Sequence, residues 1–307
     1  MNYATGIIFA ICPNAMKEEK DIQKLDALIS LMDDPDEKVF TQIRDELYNF
    51  GISAVSRLEK AWENSFDPLV QDRLEDVIHN LQYKNLFTEL RNWYLTGGED
   101  LLQGFILISK SRYPDLNEAE ITHQIGQLTQ DVWLELNKDL TALAKIRVLN
   151  HILFDVHGFD GNLEKIGSPS NNYINTVLET RKGNPLSLSI IYLLVAQSLK
   201  IPLFGINLPQ HFIVGYADEK KIGNETIVDK DRIRFYVNAF RQGKIFSRAD
   251  IEAFLKQMNI KQDKSFFLPC DNITILKRLI ANLILAYEAE GEISRVDELK
   301  ELSKALS

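Results

Sequence analysis

The sequence predicts an α+β protein: a long run of helices, then one buried helix on a small antiparallel sheet, then a helical hairpin. Three observations carry this. Apolar residues recur at helical spacing from Asp21 to Val156. Between Arg181 and Tyr216 a loop gives way to an unbroken apolar helix and then to short strand-like runs. Helical spacing returns from Ile273 to Leu306. The 307 residues are 45% hydrophobic and 26% charged, which supplies apolar mass for a sizeable core and, at ~150 residues per domain, for about two domains.

Taken in order, Gly6 to Cys12 (GIIFAIC) is apolar but short, and no Lys or Arg precedes it, so it fits neither a signal peptide nor a membrane span. Met16 followed by KEEKD reads as a helix start, so residues 1–15 are expected to be an over-extended gene start. Leu25, Leu28, Ile29 and Met32 then mark an amphipathic face. Asp33-Asp34-Pro35-Asp36 ends that helix and offers N-cap residues to the next, which carries Val39, Ile43, Leu47 and Phe50 and stops at Gly51. Ile52 to Trp62, and Asp67-Pro68 to Leu81, repeat the design. Paired helices about a DDPDEKV turn resemble a HEAT-type unit, and a small helical subdomain fits the same pattern equally well. Asn85 to Val156 continues as helices, with turns at Gly97-Gly98 and Tyr113-Pro114-Asp115 and buried helices over Leu101–Lys110 and Leu143–Phe154.

After His157 the texture changes. Gly158, Gly161, Gly167, Pro169, Asn171 and Asn172 form a turn-rich connector to a buried helix from about Leu186 to Leu199. LFGINL, FIVGYA, ETIVD and RFYVNAF follow as short strands. Ser247 is a good N-cap with Asp250 as its capping-box partner. The hairpin from Ile273 to Leu306 turns at Glu290-Gly291-Glu292, buries Leu276, Leu279, Ile280 and Leu283, and resembles a single TPR-like unit.

The charge balance excludes one class of partner. Lys plus Arg is 35 against 44 for Asp plus Glu, a net charge of −9, whereas nucleic-acid binding needs a basic surface. Cys12 and Cys270 lie far apart without metal-type spacing, so the expectation is two free thiols in a reducing cytoplasm. No other apolar run is long and uncharged enough for a bilayer. The expected protein is therefore cytoplasmic, without cofactor, nucleic acid or membrane.

The Arg181–Tyr216 layout, a helix start followed by a histidine on a strand, is the one on which papain-type and transglutaminase-type sites place a nucleophile and its base. The nucleophile position holds Pro185, Leu186 and Ser187, with no cysteine. Ser187 and Ser189 fall in the first helical turn, where a hydroxyl serves either as an ordinary cap or, given a base, as a nucleophile. His211, in PQHFIVG, is the candidate base or a half-buried structural residue. Asn238 or Asp229 is the candidate to orient it. His79, His123, His151 and His157 have no metal-ligand context.

Asn150…Leu153-Phe154…Gly158-Phe159…Gly161-Asn162, Asn171 to Leu178, Arg181…Gly183…Pro185, Ser187-Leu-Ser189, Tyr192 and Gly205…Asn207-Leu-Pro209…His211-Phe212 occur in an ordered set. That set is similar to the transglutaminase-like core family of the bacterial SirB-type regulators, whose domain also occurs beside an F-box in animals. The resemblance covers about Asn85 to Leu255 and implies a papain-like helix-on-sheet core with a Cys-His-Asp triad in catalytic members. His211 matches the family histidine, and Asn238 sits where the family's Asp-Pro-Phe segment would be. The pattern departs at Asn184, where Ile is common, and at Gln210, where Gly is common. The domains expected are a HEAT-like subdomain over 17–84, the transglutaminase-like domain over 85–265 and the TPR-like tail over 266–307. Ser187, His211 and Asn238 are then vestigial triad positions, with Asn207, Pro209 and Gln210 as binding residues of the residual cleft. The leading expectation is a non-catalytic protein acting through protein contact. The alternatives are a Ser187–His211–Asn238 hydrolase or acyl transferase, and a module that binds a peptide or small ligand.

Overall fold

The computed structural model describes residues 13–222 and 225–307; Cys12 and the Gly6–Cys12 stretch lie outside the described residues. The chain divides into two compact units, 1–87 and 88–307.

In the first unit α1 (Pro13–Ile29), α2 (Glu37–Phe50), α3 (Val55–Asn64) and the first part of α4 (Pro68–Leu95) enclose a core that includes Leu25, Met32, Leu47, Leu58, Leu74 and Val77. Asp36 caps α2 by accepting from the Lys38 N–H. The DDPD turn is held from α4: buried Arg73 donates to the carbonyls of Met32 (2.9 Å) and Asp34 (2.7 Å) and to Glu37 Oε1 (2.7 Å). Helix α4 is continuous where the sequence reading placed a break between Leu81 and Asn85. The intervening residues include neither Gly nor Pro, and Leu86, Leu90 and Trp93 extend its buried stripe.

The second unit begins with α5 (Leu101–Lys110), α6 (Glu118–Glu135) and α7 (Ala142–Asn150), capped by Asp100, Asn117 and Thr141. A π-helical turn over His151–Val156 prolongs α7. Strand β1 (Asp160–Gly161) pairs in parallel with β2 (Lys182–Gly183), and α8 (Ile174–Thr180) lies between them in sequence. Helix α9 (Pro185–Ser198) is buried at every residue from Leu186 to Ala196. It packs on a four-stranded antiparallel sheet ordered β3 (Leu203–Leu208), β4 (His211–Ile222), β5 (Glu225–Asn238) and β6 (Lys244–Phe246). This is the α+β architecture the sequence predicts. ETIVD and RFYVN, read as two strands, are one: β5 continues through a register shift that accommodates the charged Lys230–Arg232 between Asp229, paired with Asp218, and Ile233, paired with Ala217.

Helix α10 (Arg248–Gln257) starts with the expected Ser247–Asp250 capping box. Helices α11 (Asn272–Glu290) and α12 (Ile293–Ser303) are joined at Gly291 (φ 80°), and α11 packs on α5 and β3. No helix among the described residues is long and apolar enough to cross a membrane.

One tie crosses the second unit. The Tyr192 hydroxyl of α9 donates to Asn150 Oδ1 (2.9 Å), and Asn150 Nδ2 donates to the Gly243 carbonyl (3.1 Å) at the β5–β6 connection. Gly243 has φ 71°, and a Cβ there would stand 1.9 Å from Asn150 Oδ1. Gly243→Ala is expected to lower stability by about 2–3 kcal/mol through backbone strain and the displaced amide, read as the midpoint of urea unfolding. A midpoint equal to wild type would show that the tie is dispensable.

Candidate functional site

The site is built where α9 begins and the β4–β5 hairpin is anchored. Asn184 has extended backbone (φ −93°, ψ 175°) and its Oδ1 accepts from the N–H groups of Leu186 and Ser187, both at 2.9 Å. Ser187 Oγ reciprocates by accepting from the Asn184 N–H at 3.0 Å. Pro185 occupies the first helical position, where no amide hydrogen is needed. Asn184 Nδ2 donates to Asn172 Oδ1 at 2.7 Å, which fixes the cap to the connector. Ser189 Oγ donates to the Pro185 carbonyl at 2.7 Å. Ser187 and Ser189 are both fully buried.

His211 opens β4 after a turn in which Gln210 has φ 60°. Asn238 closes β5 and caps the short turn over Ala239–Arg241, its Oδ1 accepting from the Arg241 N–H at 3.2 Å. That leaves Nδ2 to face His211 Nε2, 2.8 Å away. With the amide oxygen occupied, Asn238 donates and the ring nitrogen accepts, so His211 is neutral and carries its proton on Nδ1. Burial lowers the His211 pKa, and the charges of Arg241 and Arg278 push the same way. An Asn238 amide turned to offer its oxygen would raise it, but that flip would aim an NH2 group at the Arg241 N–H.

Two cavities flank this pair. One, of about 290 Å³, is lined by Asn172, Asn184, Leu186, Arg278 and Asn282. The other, of about 420 Å³, is lined by Leu208, Ile213, Asn238, Phe240, Ile251 and Phe254. Ile166, Pro185, Gln210 and His211 line both.

The structure thus brings His211 and Asn238 together and puts Ser187 elsewhere: it lines neither cavity, and its hydroxyl is engaged in the helix cap. Gly183 seals it further, since a Cβ there would stand 2.7 Å from Ser187 Oγ. Asp229, the other candidate to orient His211, lies farther along the hairpin opposite Asp218. Gln210 lines both cavities, Asn207 Oδ1 accepts from Arg278 Nη1 at 3.2 Å, and Pro209 forms the turn beside them. Sequence reasoning passed over Arg278. Its signal was a polar pair, Arg278 and Asn282, one turn apart in the apolar run ILKRLIANLIL. Cys270 donates to the Gly205 carbonyl (3.3 Å), and burial pushes its thiol up to about 12. His157 pairs with Asp131 (2.8 Å) and His151 with Asp155 (3.1 Å). Among the described residues no group of three His, Cys, Asp or Glu side chains is arranged to hold a metal ion.

The helix-on-sheet core belongs to a recognised class of domain. The transglutaminase-like superfamily profile matches residues 119–281, and the chain belongs to that superfamily. The chain is 28% identical over 193 residues to a UPF0162 protein of Xylella fastidiosa (strain 9a5c), covering 61% of this chain and 64% of that one. It is 27% identical over 190 residues to a UPF0162 protein of Vibrio cholerae, covering 60% and 65%. It is also 27% identical over 190 residues to the F-box only protein 21 of Mus musculus, where the match covers 59% of this chain and 26% of that protein. The chain therefore spans less than two thirds of the length of these relatives. No solved structure matches it.

Two outcomes are expected. Removing Asn184 strips two buried N–H groups and Asn172 Oδ1 of their partner, so Asn184→Ala should destabilise by about 2–3 kcal/mol in chemical unfolding; a loss under about 0.5 kcal/mol would contradict the capping role. His211 takes up a proton in the folded protein only below the ordinary imidazole value of 6.5. The unfolded chain therefore binds more protons in that window, and the stability contributed by the neutral ring is complete above pH 6.5 and declines as pH falls towards the folded value. Wild type should lose more thermal stability than His211→Phe between pH 7 and 5, and nitrogen NMR at pH 7 should show Nε2 unprotonated. A protonated Nε2 would reverse the assignment.

Proposed function

We propose that this is a non-catalytic transglutaminase-like protein, a pseudoenzyme that works by holding a protein partner in the cytoplasm. The observation that carries the reading is the position beside His211. Acyl transfer needs a nucleophile within hydrogen-bond reach of the base. Pro185, which has none, shares both cavities with His211, and the nearest hydroxyl in sequence, that of Ser187, is engaged in the helix cap. The name of one relative, F-box only protein 21, is consistent with work by protein contact. So is the helical N-terminal unit, where Phe66 is 97% exposed and Trp62 and Leu69 are also exposed. A SirB-type regulatory role, with α1–α4 as a HEAT-like arm and α11–α12 as a TPR-like one, belongs to this proposal.

The test is complementation of a deletion host together with covalent probing. Ser187→Ala, checked to be folded by its melting curve, should retain the phenotype, and Phe66→Asp should lose it. The purified protein should take no adduct from a fluorophosphonate. An adduct on Ser187, or a phenotype lost in folded Ser187→Ala, would overturn the reading in favour of the hydrolase.

A further inference from the structure

Helix α11 brings a half-buried cation into the smaller cavity. Arg278 donates one hydrogen bond, to Asn207 Oδ1 at 3.2 Å, and makes no ion pair among the described residues. The lining of that cavity includes no Asp or Glu. This is unexpected in a chain of net charge −9, where acids outnumber bases and a partly buried guanidinium would readily find one. Burial even lowers the Arg278 pKa with no carboxylate to oppose it. Arg241 faces the other cavity, so the neutral His211 stands between two cations. A guanidinium that retains free N–H donors in an acid-free recess is set to receive an anion, and its planar fork fits a carboxylate.

The larger cavity next to it is mostly apolar, walled by Leu208, Ile213, Phe240, Ile251 and Phe254, with Arg241 and Asp250 also in its lining. Pro185, Gln210 and His211 belong to both walls, so the two recesses adjoin. Gln210 and Asn282 add amide donors and acceptors, which a peptide bond needs.

We propose that the two cavities form one receptor for the C-terminal residue of a partner protein, with its carboxylate on Arg278 and its apolar side chain in the Leu208–Phe240–Ile251 recess. The proposal rests on the non-catalytic reading of the cleft and names the chemistry that the cleft takes. The smaller recess, with one arginine and no acid, suits a single carboxylate, and the mostly apolar recess beside it asks for a Leu-like or Phe-like last residue.

Fluorescence anisotropy on the full chain tests it with a labelled hexapeptide ending in leucine as the free acid, the same peptide amidated at its C-terminus, and N-acetyl-leucine as competitor. The free acid should bind. Amidation and Arg278→Gln should each weaken binding at least about tenfold, and Arg278→Lys should recover part of the loss. Melting curves must show the variants folded; if Arg278→Gln does not fold, the acid–amide pair on wild type decides alone. Equal affinity for acid and amide, unchanged binding by a folded Arg278→Gln, or no peptide binding at millimolar concentration would overturn the proposal. So would N-acetyl-leucine binding as tightly as the peptide, which would assign the receptor to a small carboxylate. None of these results produces an adduct on Ser187, so failure here is distinguishable from failure of the non-catalytic reading.

Discussion

A helix buried on all sides must satisfy its first amide N–H groups from within the protein, because no water reaches them. Helix α9 is such a helix, and Asn184 is the residue that meets the demand. Much of the second unit follows from this cap. Asn184 is held by Asn172, so the connector must return to the start of α9. The β1–β2 pairing sets Gly161 beside Gly183, and both positions exclude a Cβ: at Gly161 it would meet Phe240 at 2.6 Å, at Gly183 it would meet Ser187 Oγ at 2.7 Å. A third asparagine, Asn150, ties the body of the same helix to Gly243. Buried amides are expensive to leave unpaired and specific when paired, so this set fixes one packing of helix against sheet.

The cap also decides the chemistry. In an acyl-transfer site the first turn of the helix presents its nucleophile to the base. Here the first turn is turned inwards. Ser187 satisfies the Asn184 N–H, Ser189 bonds back to Pro185, and the first-turn side chains that face the cleft are those of Pro185 and Leu186, neither of which carries a nucleophile. The His211–Asn238 pair is produced by the hairpin. The register that pairs Val214 with Val237 brings the start of β4 and the end of β5 to one end of the sheet, so His211 and Asn238 meet without any help from α9. His211 and Asn238 are thus brought together by the sheet independently of α9.

The parts of the fold legible in the sequence are those with local causes. The apolar run of α9, the Ser247–Asp250 box and the strand-like texture after Leu203 announce themselves over a few residues, whereas Asn238 and Asp229 stood open as partners of His211 until the hairpin register set Asn238 beside it. What escaped depends on distant partners. Nothing near Lys230–Arg232 says that a bulge will absorb three charged residues and keep β5 whole. Nothing near Asp33–Asp36 says that Arg73, from α4, will supply the bonds that hold the turn. The serines were ambiguous for the opposite reason: a first-turn hydroxyl is written identically whether it faces inwards or outwards, and only burial separates the two.

Arg278 joins these threads. It stands on α11, a helix whose sequence looks like part of a separate tail, yet the superfamily match runs to residue 281 and α11 packs on β3 and α5. The cleft beside His211 cannot be completed by the sheet and α9 alone, because the wall that carries its charge comes from α11. A cleft that keeps its neutral histidine, its amides and an arginine without an acid partner has kept the means to discriminate a ligand by charge and shape. Packing of the core alone accounts for Asn184 and Asn150, which are bonded on both sides; it does not account for a half-buried cation left open to a cavity in an acidic protein. That asymmetry between the fully bonded amides and the arginine without an acid partner is the physical ground for treating this cleft as a working surface.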